Sequence, residues 1–159
     1  MATKAAVEEG ARELARRDPV LRRMLRAGRV VQVGAVSEVW RHPADEWAAA
    51  FLGVGAAVDA AFTGDGLATP WGVLAVDPAG ERARAVRVVL PADAVRVDDS
   101  GPVSGRVVRS VFAGDRVDLT VEAGGETVRV RVPDRDAPAV GAIVHLTIDP
   151  DRVLVYPAD

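Results

Sequence analysis

The sequence predicts a protein of the α+β class that is mostly β, with N-terminal helices followed by an antiparallel β-barrel or a two-lobed β domain. Three observations carry that expectation. Apolar residues make up 49% of the chain but aromatics only 4%, so valine, leucine and alanine must build the core, and valine's branched β-carbon suits a pleated, half-buried surface. Before residue 53 the apolar positions recur at helical spacing, and from residue 57 they alternate with polar ones. Turn-forming clusters ("TGDG", "DPAG", "DDSGP", "AGGE", "DRDAPAVG", "DPD") then punctuate the chain, as they do in barrels and sandwiches of short strands. Two segments follow: residues 1–53, helical and linker in character, and residues 54–159, the β domain.

Residues 5–27 read as helix, with Asp18 and Pro19 as cap and first position of a second helix holding Val20, Leu21, Met24 and Leu25, and Gly28 ending it. "RVVQVG" at 29–34 is a short strand, and Ser37 opens a brief helical turn through Trp40. In "RHPADEWAAAFLG", Pro43 suits a first helical position, Asp45 and Glu46 complement the positive end of the dipole, and Gly53 stops the helix. Trp47 and Phe51 are four apart and share a face. With Trp40 they read as a packing seam.

The strands expected thereafter are 57–62, 68–76, 82–90, 94–97, 104–112, 116–122, 127–132, 142–148 and 152–156. The clearest is the hairpin at 117–132. A two-residue turn at Gly124-Gly125 places Val121 opposite Val128, Leu119 opposite Val130 and Val117 opposite Val132. The other face then pairs Thr120 with Arg129 and Asp118 with Arg131. One face is wholly aliphatic and the other polar, and a slip of one residue would expose the whole aliphatic set.

Few classes of chemistry find support. The chain has no cysteine, which excludes disulfides and thiolate metal sites. Its two histidines, His42 and His145, lack a partner at metal-ligand spacing, and His145 falls on the polar side of its strand. No metal and no cofactor is expected. Ser37, Ser100, Ser104 and Ser110 lack a nucleophile-elbow context. "GVGAAV" at 53–58 follows a helix and misses the third glycine of a dinucleotide fingerprint, and no G-x-x-x-x-G-K-S/T occurs. The net charge is −3, divided as +4 over residues 1–30 and −7 over the remainder. An acidic β region with few aromatics argues against nucleic acid. No apolar run approaches the roughly 20 residues of a membrane span, so direct membrane insertion is not expected, and a cytoplasmic protein is.

"RAGRVVQVGAVSEVWRHPADEWAAAFLG" at 26–53 resembles the stretch that follows the nucleotide-binding core in ABC-importer ATPases. The matching positions are Gly28, Arg29, Gln32, Gly34, Glu38, Val39, Pro43, Phe51, Leu52 and Gly53. Residues 67–157 are similar to the family's appended TOBE region through "TPWGVL", "LPADAVRV", "VSGRVVRSVFAGDRVDLTVE" and "VHLTIDPDRVLVYP". The resemblance implies an OB-like (TOBE) antiparallel β-barrel for the second segment. The phosphate loop, the "LSGGQ"-type signature, the magnesium-holding acidic strand and the switch histidine of that family are absent from these residues. "LARRDPVLRRML" does not match the family's helix and strand, and Leu90 stands where many members have arginine.

What the resemblance implies is a non-catalytic regulatory or interaction domain for small-solute transport. Its partners would be ABC-transporter ATPase and permease components, and it would lie peripheral to the inner membrane when assembled with them. The aliphatic strand faces leave room for a weak homodimer. The alternative is a small oxyanion-binding module of the molybdate type. Ser104, Gly105 and Arg106 are then the candidate ligand-binding residues, although their alternation with Val107 also reads as an ordinary strand start.

Overall fold

Alternating aliphatic and polar residues form strands only where neighbours take up their backbone hydrogen bonds. The computed structural model of this chain, which describes residues 21–26, 28–77 and 84–158, supplies those neighbours in three antiparallel sheets. The chain divides into two compact units at Gly53/Val54.

In the first unit β1 (Leu21–Arg26) pairs with β2 (Arg29–Ala35) from Leu21↔Ala35 to Arg26↔Arg29, with a bulge between Met24 and Leu25. This corrects the helix expected through residue 27. Leu21, Met24 and Leu25 have helical spacing, but six residues form less than two helical turns and have little helical stability of their own. Pairing with the valine-rich β2 satisfies their backbone instead. Gly28, at φ 75, belongs to the turn of this hairpin and not to a helix end. The helix expected further upstream lies outside the described residues.

Two short helices follow, α1 (Val36–Arg41) and α2 (Glu46–Phe51). The helical start expected at Pro43 lies further on: Asp45 is the N-cap, and its carboxylate accepts from the Ala48 amide at 2.7 Å. That bond satisfies an otherwise orphaned donor of the first turn. Gln32 of β2 fixes the loop between the helices. Its side chain donates to the His42 carbonyl at 2.7 Å and accepts from the Ala44 amide at 2.9 Å. Val39 and Ala48 form the small core here, with Val31, Trp47 and Leu52 against it. The aromatic seam is only half realised. Trp47 and Phe51 stack with centroids 5.2 Å apart, but Trp40 and Phe51 are 43% and 67% exposed.

The second unit holds two five-stranded sheets. One has the order β12-β6-β3-β4-β5, from β3 (Ala57–Thr63), β4 (Gly66–Thr69), β5 (Gly72–Leu74), β6 (Ala85–Val89) and β12 (Leu154–Pro157). The single strand expected over 68–76 is thus a hairpin. Pro70 brings no N–H to a ladder, and the Thr69 hydroxyl holds the turn by accepting from the Trp71 amide at 3.2 Å and donating to the Gly72 carbonyl at 2.8 Å.

The other sheet has the order β10-β9-β8-β11-β7, from β7 (Val95–Val97), β8 (Val103–Phe112), β9 (Arg116–Ala123), β10 (Glu126–Pro133) and β11 (Ile143–Ile148). Its outer strands β7 and β10 lie against each other, so the sheet curls into a nearly closed, OB-like barrel. The β9–β10 register runs Val121↔Val128, Leu119↔Val130, Val117↔Val132, Thr120↔Arg129 and Asp118↔Arg131, as the alternation predicts. All six aliphatic members are buried. Burying each is worth about 1.5–3 kcal/mol.

One hydrophobic cluster unites the two sheets, with Val58, Phe62, Leu67 and Val88 on one side and Val107, Leu119, Val130 and Leu146 on the other. The chain lays down β3–β6, builds the barrel with β7–β11, and returns to place β12 beside β6.

Candidate functional site

The three residues singled out from the sequence sit together near the start of one barrel strand. Ser104, Gly105 and Arg106 lie on β8, all three paired with β11 and Arg106 also with β9. Ser104 and Arg106 point outward and Gly105 inward. A side chain at Gly105 would meet Val121 at 2.5 Å and the Glu122 carbonyl oxygen at 2.9 Å, so close packing of β8 on β9 explains this glycine. From Arg106 onward β9 flanks β8 on its other side, and a strand flanked on both sides has its N–H groups used by its ladders. Arg106 stands beside Glu122 in register.

A cleft of about 450 Å³ opens elsewhere, at the seam where β7 meets β10. Three guanidinium groups line it: Arg96 from β7, Arg131 from β10 and Arg152 from the 3-10 turn Pro150–Arg152. Asp93, Asp149 and Thr147 complete its polar wall. Arg152 is held by both carboxylates, at 2.9 Å from Asp93 and 3.4 Å from Asp149. Asp149 also caps the 3-10 turn by accepting from the Asp151 amide at 3.1 Å.

Arg131 and Arg96 are anchored differently. Arg131 lies 3.4 Å from Asp118, which also faces Arg116 at 3.7 Å. Arg96 lies 3.3 Å from Asp98. That carboxylate is a hub, accepting from the Ser100 hydroxyl at 2.7 Å, the Ser100 amide at 3.0 Å and the Thr147 hydroxyl at 3.1 Å. The Ser100 bonds first, then those from Thr147 and Arg96, hold the Asp98 carboxyl down at about 2.

The cleft escaped the sequence reading because its residues are far apart in the chain. Two of its walls do belong to quoted motifs, "LPADAVRV" and "IDPDR", each with an aspartate and an arginine within four residues. Arg131 joins them only through barrel closure. Among the described residues, no group of three His, Cys, Asp or Glu side chains could hold a metal ion, and no helix is long and apolar enough to cross a membrane.

Known proteins place this barrel in context. The TOBE domain family matches residues 80–155. The chain is 32% identical over 134 residues to the Fe(3+) ions import ATP-binding protein FbpC of Streptomyces avermitilis, covering 83% of the chain and 39% of that relative. The protein of the same name from Streptomyces coelicolor is 31% identical over 133 residues, with 83% and 38% covered. A third, from Mesorhizobium japonicum, is 30% identical over 146 residues, with 79% and 40% covered. The chain therefore spans about two-fifths of the length of the curated relatives it matches.

Proposed function

Residues 80–155 are a TOBE domain of the kind found in the C-terminal region of ABC-importer ATP-binding subunits, and on that premise we propose that the chain is a non-catalytic regulatory and interaction domain of an importer for ferric iron. The observation that carries this reading is the extent of the likeness. It covers 83% of the chain and therefore extends beyond the matched barrel to the segment before it. There the motif residue Gln32 has a visible task, tying β2 to the loop between α1 and α2.

Its partners would be the ATP-binding and permease components of the importer. The activity itself would reside in them, since the sequence has no G-x-x-x-x-G-K-S/T loop to cradle a triphosphate. The alternative centred on Ser104, Gly105 and Arg106 has less support, because packing accounts for the glycine and all three residues are paired with β11 in the sheet.

Affinity purification of the tagged chain from detergent-solubilised membranes tests the proposal. Recovery of permease and ATP-binding subunits is expected, together with altered uptake of radiolabelled ferric iron when the gene is deleted. Recovery of neither component, with unchanged ferric uptake, overturns it. Saturable micromolar binding of ATP to the purified chain would overturn its non-catalytic part.

A further inference from the structure

The net charge of −3 is an average over a surface on which the charges are segregated. On the outward face of β8, β9 and β10, five arginines (Arg106, Arg109, Arg116, Arg129 and Arg131) are set against the carboxylates Asp118 and Glu122. One cross-strand row, Arg109–Thr120–Arg129, contains no acid. Such a face attracts anions locally even on an acidic protein.

The seam cleft lies at the β10 edge of this face, since Arg131 belongs to both. Its two ends differ. At one end Asp93 and Asp149 both pair with Arg152, and Asp149 accepts from the Asp151 amide as well. At the other end each carboxylate faces more than one partner. Asp118 is shared by Arg131 and Arg116, and Asp98 accepts from Ser100 and Thr147 as well as from Arg96. A guanidinium has five N–H donors, so the single ion pairs of Arg96 and Arg131 leave donors over. Both side chains also retain solvent access, at 73% and 45% exposure.

We propose that the seam cleft binds a small multivalent organic anion, its carboxylate or phosphate oxygens held between Arg96 and Arg131. The arginine fork matches either group in bidentate fashion. The volume of about 450 Å³ lies within the range of sites for small organic molecules and is roomy for a lone tetrahedral oxyanion. Asp93 and Asp149 repel the ligand from the Arg152 end and so set its orientation. The proposal rests on the barrel alone. A failed titration leaves the importer reading intact, and a failed purification of partners leaves this one intact.

Calorimetric and NMR titrations of the full chain at constant ionic strength, with citrate in one arm and glycerol 2-phosphate in the other, decide it. Saturable binding is expected in at least one arm, with amide shifts centred on β7, β10 and residues 149–152. The arm that responds identifies the anionic group. Arg96→Gln and Arg131→Gln should each weaken binding about tenfold or more, as loss of a charge-assisted bidentate contact implies. Arg109→Gln, on the same face but outside the cleft, should change it by less than about twofold, because an exposed charge acts only through a screened field. If Arg131→Gln fails to fold, the exposed Arg96 still provides the test. No saturable response in either arm overturns the proposal. So do equal losses in the Arg96 and Arg109 variants, or shifts centred on Ser104–Arg106.

Discussion

The β9–β10 and β1–β2 hairpins are both antiparallel pairs closed by short glycine-containing turns, yet they are held by different means. β9 pairs with β8 on its other side, and the buried face of β9–β10 contributes six aliphatic side chains to the cluster shared by two sheets. Among the described residues, β1 and β2 form a sheet of two strands. A two-stranded hairpin alone is marginal in water, so this one depends on what packs beside it, including the small core of Val39 and Ala48. A good turn closes a hairpin; a third strand and a buried face make it stable.

The largest effect should come from the shared core. Leu119→Ala, at a side chain 1% exposed, should destabilise the second unit by about 3 kcal/mol in urea unfolding. A loss below about 1 kcal/mol would mean that the hairpin is not anchored by that cluster, and the contrast between the hairpins would fall.

The turn is the next place to press. Gly124 and Gly125 have φ of 61 and 80, which a β-branched residue resists. Gly124 carries a second constraint. Its missing side chain would run into the Pro70 backbone of the β4–β5 turn, whereas a side chain at Gly125 meets open space. Gly125→Val should therefore cost about 1 kcal/mol, and Gly124→Val about 2 kcal/mol or more. Melting temperatures in the opposite order would place the approach of the two turns elsewhere.

A smaller, pH-dependent effect should be confined to the barrel. Asp98 is held at about 2, below its ordinary 3.8. A carboxyl depressed in the folded state stabilises fully above its unfolded pKa, and that contribution is lost as pH falls through the folded value. Thermal stability of the barrel should thus be flat near neutrality and decline between about pH 4 and pH 2. Asp98→Asn should flatten part of that decline. Amide exchange in β1–β2 should not follow it; a shared titration would show that the seam governs both hairpins.

The smallest effect expected is that of removing residues 1–53. The core cluster of the second unit is drawn from Val58 onward, so amide protection across Arg116–Pro133 should survive the truncation. Loss of that protection would make the first segment part of the barrel's fold.

Local chemistry determined much of this molecule. Strict alternation in "RVDLTVEA" and "ETVRVRVP" decides which face is buried, and the two glycines between them fix the register as a two-residue turn. The strands from β6 onward were legible for the same reason. The motif residues around Gln32 marked the kinship directly, because they are contiguous in the chain. Tertiary structure decided what depends on partners distant in sequence. "LRRMLR" has helical spacing and became a strand because β2 was there to take its hydrogen bonds. β12 pairs with β6, a strand far back in the chain. Arg96 and Arg131 have nothing local in common. They line one cleft because closing the barrel lays β10 against β7. The period of a side-chain pattern is written in neighbouring residues, but the choice of strand partner is settled by the core that the strands must share.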